Sequence, residues 1–522
     1  MKTFYYTFFI AMLILSCNQN NAQVNNKIEL QDEITISEIH QAYQNKEYNV
    51  QDVVEFYLNR IETIDKNGPS LNSVLTINPD AMEIAKQLDA MENGMDNLPL
   101  YGIPILLKDN IDTKDKMPCT AGARCMAKSF PLQDSPIAKQ LRDAGAVILG
   151  KANLSEWANF HSNHSSSGWS GLGGQTHNPY DLTRNPCGSS AGSGVAVSAN
   201  ISVLAIGTET NGSIVCPSNN NGIVGIKPTV GLVSRSGVVP ISFTQDTGGP
   251  MARTVEDAVK CLNVLTDADE NDAATMQEDR DVKEDYTIYL KAGGMKGKRI
   301  GVFPSNAGDN VQVMKVFNEA AKAMEESGAV LVPIDKVMED AAGGASFQVL
   351  LYEFKDGLNK YFASLGSDAV VKDLEDLIAQ TFSDKIEMEF HDHELLKIAN
   401  AKAGLNEKEY IEAREKALRL SREEGIDKVM KEHNLDAIIA PAGGPAWKTD
   451  IVNGDNYGIY SSSPAAIAGY PNICVPMGDV HGLPIGLNIF GQKWQEAKLI
   501  EIAYAYEQLS KKRITPSFKN GN

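Results

Sequence analysis

The sequence predicts an α/β protein built around a β-sheet. Strand and helix patterns alternate along the chain: a strand over residues 297–303, a helix over 311–326 and a strand over 329–333 follow one another directly. The composition is that of a globular protein, because 43% hydrophobic and 22% charged residues exclude disorder, collagen-like sequence and a polytopic membrane protein. At roughly 150 residues per domain the chain would make three domains. Large single-sheet enzymes exceed that length, so the length is also compatible with one large domain.

The N-terminus predicts a signal peptide over residues 1–16. Lys2 precedes an apolar run over residues 4–15, which is shorter than the about 20 residues that a membrane span needs. Ile14-Leu15-Ser16-Cys17 resembles the bacterial lipobox, so Cys17 is predicted to be a lipid anchor and residues 17–34 a flexible tether. This interpretation predicts a lipoprotein of the bacterial cell envelope that meets the membrane only through its lipid. The alternative is a plain secretory signal with an incidental cysteine.

The remaining elements follow in order. Apolar residues at helical spacing predict two helices over residues 36–64, and an apolar stretch over 100–107 predicts a buried strand that ends at Lys108. Ser135-Pro136 begins a helix that Gly145 ends, before a strand over residues 146–149. Amphipathic helices over residues 341–432 predict a cap-like region. The last predicted elements are strands over residues 435–441, 473–476 and 485–489 and helices over 464–469 and 496–509.

Charge and histidine spacing exclude two functional classes. The chain has 48 Lys and Arg against 67 Asp and Glu, and a net charge of −19 is too acidic for a nucleic-acid binder. His161 and His164 lie in a Ser-rich loop, and His391 and His393 flank Asp392, but neither pair follows a metal-binding pattern. We therefore expect solvated histidines and no metal.

The cysteines leave the disulfide state open. Cys119 and Cys125 are close enough in sequence to pair in an exported protein. Cys187, Cys216 and Cys474 stand among small or apolar neighbours, which predicts buried, unpaired thiols.

Two Gly- and Ser-rich loops are the candidate site of the chemistry. Ser189 lies in the loop over residues 188–194, before a small-residue helix whose first N–H groups lack partners. No Lys-Ser or Lys-Thr follows, so the loop fails the phosphate-binding pattern. Ser213 ends the loop over residues 207–213, after the apolar run 203–206. A serine at a strand terminus with neighbouring N–H groups suits acyl transfer.

A serine nucleophile needs a base, and Lys108 is the stronger candidate. The histidines of the upstream loops have no Asp-oriented setting that the sequence reveals. Burial after an apolar strand disfavours the charged form of Lys108 and lowers its pKa. The alternative is that Lys108 is a structural ion-pair partner of Asp109 or Asp112.

Several segments in the same order resemble the amidase signature family. They are residues 102–110, 149–156, 184–194, 207–213, 222–229 and 482–487. The resemblance covers residues 35–512, and it implies one large domain with a central mixed β-sheet covered by helices on both faces. It also implies an amidohydrolase with a Ser-Ser-Lys triad and no cofactor.

The resemblance gives each residue a role. Ser213 is the nucleophile that forms an acyl-enzyme, Ser189 is the bridging serine held by a cis peptide, and Lys108 is the base. The oxyanion hole is formed by the backbone N–H groups of Thr210, Asn211, Gly212 and Ser213. Asn211 replaces a usual glycine, although Asn tolerates a positive φ.

Residues 167–171, 185–190, 214–217 and 240–243 resemble the peptide amidase branch of the family, which removes the C-terminal amide of peptides and releases ammonia. The predicted partner is therefore a peptide amide or a small-molecule amide. Residues 341–432 and 442–463 are expected to form the pocket walls; Trp447, Tyr457 and Tyr460 belong to the second segment and either line a channel or pack in the core.

Three alternatives remain. One is a general aliphatic or aryl amidase, which shares the chemistry. Another is the amidase subunit of a tRNA amidotransferase, but the signal peptide argues against it because that complex is cytoplasmic. The third is a catalytically silent peptide-binding lipoprotein, against which the three filled catalytic positions argue.

Overall fold

A mixed β-sheet of eleven strands forms the centre of the computed structural model, which describes residues 30–91 and 94–521. Two further strands, β4 and β5, form a separate small ribbon. The strands are β1 Val74–Ile77, β2 Pro104–Lys108, β3 Val147–Ala152, β4 Trp169–Ser170, β5 Gly174–Gln175, β6 Leu204–Glu209, β7 Val224–Lys227, β8 Thr247–Ala252, β9 Arg299–Val302, β10 Val330–Pro333, β11 Ala437–Pro441, β12 Asn472–Val480 and β13 Leu483–Phe490.

The order of strands across the large sheet is β1-β3-β2-β6-β8-β7-β12-β13-β11-β9-β10. Strands β3, β2 and β6 run parallel to one another, and so do β11, β9 and β10. The pairings between these two groups are antiparallel, as is that of β1 with β3. The expected mixed α/β sheet in one large domain is confirmed.

Sixteen α-helices accompany the strands in the described part of the chain. They are α1 Ile36–Gln44, α2 Val50–Arg60, α3 Ala81–Asp89, α4 Gly94–Asn97, α5 Pro136–Asp143, α6 Ala191–Ser198, α7 Val215–Asn220, α8 Val255–Asn263, α9 Val311–Glu326, α10 Ala341–Ser364, α11 Leu374–Ser383, α12 Glu394–Asn400, α13 Lys408–Ser421, α14 Asp427–His433, α15 Ser463–Ala468 and α16 Glu496–Ser510.

Local signals set the helix boundaries that the sequence predicted. Asn49 accepts a hydrogen bond from the Asp52 amide and caps α2, which separates it from α1. Ser135 caps α5 in the same way, with Pro136 in the first turn. Gly145 follows α5 with φ of 85°, a conformation that glycine adopts without steric cost.

The cap-like region consists of helices α10 to α14. Apolar side chains of α10, α11 and α12 pack into a second hydrophobic core with residues 119–126, Trp157 and Ile241. This core lies beside the chain that follows β2, so the helical region is fixed next to the end of the strand that carries Lys108.

The predicted signal peptide, Cys17 and most of the predicted tether lie outside the described residues. Within residues 30–91 and 94–521, no helix combines the length and the apolar character that crossing a bilayer requires.

Candidate active site

Lys108 is the last residue of β2, a strand in which every residue is buried. Strand β2 pairs in parallel with β6, so the carboxyl ends of the two strands meet at one edge of the sheet. The Lys108 Nζ atom donates hydrogen bonds to Ser189 Oγ at 2.7 Å, Thr208 Oγ1 at 2.8 Å and the Thr208 carbonyl at 3.2 Å. Parallel pairing thus brings the lysine to the loop that carries Ser189.

Burial determines the charge of this lysine. The Lys108 side chain is fully buried, and desolvation lowers its pKa to about 7, although the charges of Asp246 and Glu209 oppose the shift. The alternative role of Lys108 as an ion-pair partner is not realised among the described residues. Asp109 instead accepts a hydrogen bond from Thr120, and Asp112 accepts one from Tyr361.

Ser189 follows a cis peptide bond from Gly188, as the family resemblance implied, and it precedes α6. Helix α6 approaches the sheet very closely. A Cβ atom on Gly192 would lie 2.2 Å from the Ser73 carbonyl oxygen and 2.5 Å from that of Asn153, so this position needs glycine. The small residues of α6 therefore let Ser189 come within reach of Lys108.

Ser213 lies in the turn between β6 and α7, and the Glu209 carboxylate holds this turn. Glu209 accepts hydrogen bonds from the amides of Gly212 at 2.8 Å, Ile214 at 2.8 Å and Val215 at 3.1 Å. The Gly212 amide is therefore engaged, which corrects its expected role in an oxyanion hole. Gly212, with φ of 89°, is also the left-handed residue of the turn, rather than Asn211.

The other predicted oxyanion donors remain available. Within the described residues the amides of Thr210, Asn211 and Ser213 have no hydrogen-bond acceptor. The Thr210 side chain donates to Asp246 at 2.5 Å, and this contact anchors the start of the turn.

Ser189 and Ser213 line one cavity of about 220 Å³. Its walls come from six parts of the chain. The lining residues are Ala158, Asn159, Phe160, Ser167, Cys187, Gly188, Ser189, Thr210, Asn211, Gly212, Ser213, Cys216, Ile241, Leu350, Asp455 and Tyr457. The expected wall segments both contribute, through Leu350 of α10 and through Asp455 and Tyr457. Trp447 packs against Tyr457 beside the cavity, and Tyr460 is 41% exposed and lines a different cavity.

A disulfide joins Cys187 and Cys216, with Cα atoms 5.9 Å apart. The prediction that both are unpaired thiols is wrong: one precedes Ser189 by two residues and the other follows Ser213 by three, and folding brings the two loops together. Cys119 and Cys125 are free, and Cys474 is a buried free thiol as predicted.

The prediction of solvated histidines is wrong for three of the four. His161, His391 and His393 are buried against one another and against Trp169. Burial lowers the pKa of His161 well below its ordinary value, and it also lowers the pKa of His393. His164 is exposed, as expected.

Glu209 and Asp455 are site residues that the sequence interpretation missed. Glu209 follows the apolar run of β6, and a lone carboxylate after a buried strand was a usable signal. Asp455 accepts hydrogen bonds from the Ser167 amide, Asn185 and Trp447, and burial raises its pKa. It comes from a polar loop far along the chain, so no local pattern points to it.

The family model for Amidase matches residues 52–500. The chain belongs to the Amidase family. The crystal structure of native peptide amidase from Stenotrophomonas maltophilia is 46% identical, superimposes with a TM-score of 0.88, and covers 93% of this chain and 99% of that chain. These findings make this chain an amidase, a hydrolase.

Two curated relatives of this amidase extend the comparison. A probable amidase of Arabidopsis thaliana is 38% identical over 537 residues, which cover 99% of both chains. A component of the glutamyl-tRNA(Gln) amidotransferase of Thermoanaerobacter pseudethanolicus is 31% identical over 94% of this chain and 99% of that protein.

The predicted location of this amidase in the bacterial cell envelope is contradicted. The relatives that match it over most of its length include the plant amidase and a fungal one from Schizosaccharomyces pombe, which is 34% identical over 93% of this chain and 87% of its own. Such plant and fungal amidases are not bacterial envelope lipoproteins.

Proposed function

We propose that this amidase removes the C-terminal amide of peptides as ammonia, with residues 35–512 as the catalytic unit. The observation that carries the proposal is the contact of Lys108 Nζ with Ser189 Oγ, at 2.7 Å, at the base of the cavity that Ser213 also lines. A lysine, a bridging serine and a second serine at an open cavity are the parts that acyl transfer needs.

The hydrogen bonds of Lys108 suit a base. A neutral amine has two hydrogens and one lone pair, and the two acceptors on Thr208 take the hydrogens. In this neutral form the contact with Ser189 is reversed: the lone pair faces the Ser189 hydroxyl, which donates to it. With a pKa of about 7, Lys108 exchanges this proton near neutral pH.

The reaction then proceeds in two halves. Ser213 Oγ attacks the amide carbon and passes its proton through Ser189 to Lys108. The C–N bond breaks as the same proton returns through Ser189 to the leaving nitrogen, which departs as ammonia and leaves an ester on Ser213. Water attacks the ester by the same route and releases the peptide carboxylic acid.

The negative charge that develops on the carbonyl oxygen in the transition state is stabilised by hydrogen-bond donors. The amides of Thr210, Asn211 and Ser213 supply them, while Glu209 holds the Gly212 amide and fixes the turn. Backbone donors that are already oriented stabilise an oxyanion without further reorganisation.

The cavity walls suit a peptide. Asn159 and Asp455 offer polar groups to a peptide backbone, and Phe160, Ile241 and Leu350 offer apolar surface to a side chain. The likeness to peptide amidase, at 46% identity, supports this substrate class over a general aliphatic or aryl amide.

A second candidate is the amidase half of a glutamine-dependent amidotransferase, which the 31% identical amidotransferase relative favours. The expected argument against it, an exported chain, no longer stands because the predicted envelope location is contradicted. The higher identity to peptide amidase remains the reason to prefer the hydrolase.

Ammonia release by the purified full chain tests the proposal. We expect release from an amidated dipeptide at least tenfold faster, in kcat/KM, than from simple aliphatic amides, anilides or free glutamine. Ser213→Ala should abolish it, whereas Ser193→Ala, a buried α6 hydroxyl that donates to the Ile206 carbonyl, should not. A preference for simple amides would indicate a general amidase, and release from glutamine alone would indicate the amidotransferase component.

A further inference from the structure

Glu156, His161 and His393 form a cluster that the proposed mechanism does not use. All three side chains are fully buried, and one potential ligand atom from each lies within 4.8 Å of the other two. The cluster is joined to the active site, because residues 158–160, between Glu156 and His161, line the cavity.

The hydrogen bond of His393 fixes its tautomer. Its Nε2 atom lies 2.9 Å from the Glu387 carbonyl oxygen, which can only accept, so Nε2 carries the hydrogen. The Nδ1 atom of the neutral ring then has a bare lone pair. A carbonyl that holds the remote nitrogen in this way is the usual support of a metal-binding imidazole.

Two potential ligand atoms lie close to that lone pair. His393 Nδ1 lies 3.2 Å from His161 Nδ1 and 3.8 Å from Glu156 Oε1. Glu156 Oε2 accepts from the Gly171 amide, but Oε1 has no hydrogen-bond partner in the described structure. Buried acceptors without donors are costly, and a cation satisfies several at once.

The spacing fits one metal ion. Tetrahedral zinc with bonds of about 2.0–2.1 Å places neighbouring ligand atoms roughly 3.3 Å apart. The two Nδ1 atoms already have this separation, and Glu156 Oε1 needs to move only slightly.

Glu387 stands outside this group of three and is our candidate for a fourth ligand, which its side chain would supply by rotating toward the cluster. Its Oε1 atom accepts from the Arg124 amide, and its buried Oε2 atom has no partner in the described structure. A Cβ atom on Gly171 would lie 2.1 Å from this Oε2, so glycine there leaves room for the carboxylate beside Glu156. Two carboxylates and two neutral imidazoles balance the charge of one dication.

We propose that Glu156, His161, His393 and Glu387 bind one Zn²⁺ or a similar transition-metal dication. Mixed imidazole and carboxylate ligands favour zinc over calcium or magnesium, which prefer oxygen alone. Four protein ligands leave no open position for water, so the ion is structural. It fixes the left-handed turn over residues 157–159, with φ of 49°, 52° and 72°, which forms one wall of the cavity.

The test measures metal content in the full chain, purified without a polyhistidine tag, incubated with ZnCl₂ and dialysed. We expect about one zinc per chain in the wild type and Glu156→Gln and His393→Gln each to lose it. The exposed His164→Gln is the matched control and should keep it. Zinc should also raise the melting temperature of the wild type and leave that of Glu156→Gln unchanged.

The proposal is overturned if the dialysed wild type holds far less than one zinc per chain. The cluster would then be a closed network that shares protons. It is also overturned if both ligand variants keep the metal. Where a variant fails to fold, the wild-type stoichiometry and a tetrahedral Co²⁺ spectrum of the wild type decide the question.

Discussion

At the scale of single residues, the proposed chemistry depends on Lys108, whose pKa is lowered by burial to about 7. The Lys108, Ser189 and Ser213 positions were predictable because they lie in segments that resemble a family. Cys187, Cys216 and His393 were misjudged because their partners lie 29 to 232 residues away in sequence, and only folding decides such pairs. Local pattern therefore suffices to propose the triad but not to predict the contacts around it.

Removing either end of the proposed triad should abolish turnover. We expect Ser213→Ala and Lys108→Met to lower kcat by on the order of 10³-fold or more, because each removes a step of the proton path. Far-UV circular dichroism and elution volume should match the wild type. Near-normal kcat in a folded Ser213→Ala protein would exclude Ser213 as the nucleophile.

The pH profile should have an acidic limb near pH 7. The base must be neutral, and its pKa is about 7, so kcat/KM should fall about tenfold per unit below that pH. The charge of Asp246 raises the pKa of Lys108, so Asp246→Asn should move the limb to lower pH. A profile that stays flat from about pH 5 to 8 would contradict a lysine base with this pKa.

At the scale of elements, the turn from β6 to α7 and the loop before α6 form the site together. Strand β11, which is continuously apolar, was predicted close to its observed bounds, whereas only the apolar first half of β3 was predicted and its end at Ala152 was not. Strand β8 was missed because Thr-Gly-Gly-Pro-Met-Ala has the composition of a turn, and only its pairing with β6 and β7 makes it a strand.

Glu209 should position the nucleophile turn without touching substrate. Both carboxylate oxygens of Glu209 accept hydrogen bonds from backbone amides. In Glu209→Gln an NH₂ group replaces one of these oxygens and cannot accept, so at least one of the three hydrogen bonds is lost. We expect kcat to fall at least tenfold with KM nearly unchanged, as determined by steady-state kinetics. Glu496→Gln is the control, because Glu496 is buried, accepts one backbone amide from Thr229 and does not line the cavity.

The Cys187–Cys216 disulfide should stabilise the same two loops. Replacing both cysteines by alanine removes a cross-link between residues 29 apart, which typically costs about 3 kcal/mol of unfolding free energy. Equilibrium urea unfolding measures this loss, and Cys125→Ala, which changes a free thiol, serves as control. Equal stability of the double variant and the wild type would mean that the cross-link contributes nothing.

At the scale of the whole molecule, strand order places the site. Strands β2 and β6 are about a hundred residues apart in sequence and adjacent in the sheet. The cap-like helices contribute Leu350 to the cavity at the carboxyl ends of these strands. The α/β class followed from alternating patterns. The order of eleven strands did not, because pairing over such distances depends on the packing of the complete chain.

Trapping the acyl-enzyme tests the central claim most directly. The full chain is mixed with an amidated peptide, quenched in acid, digested and analysed by mass spectrometry. The proposed mechanism predicts that the peptide acyl group is attached to Ser213 and that the adduct is absent from Ser213→Ala. An adduct on another residue, or ammonia release with no covalent adduct, would contradict it.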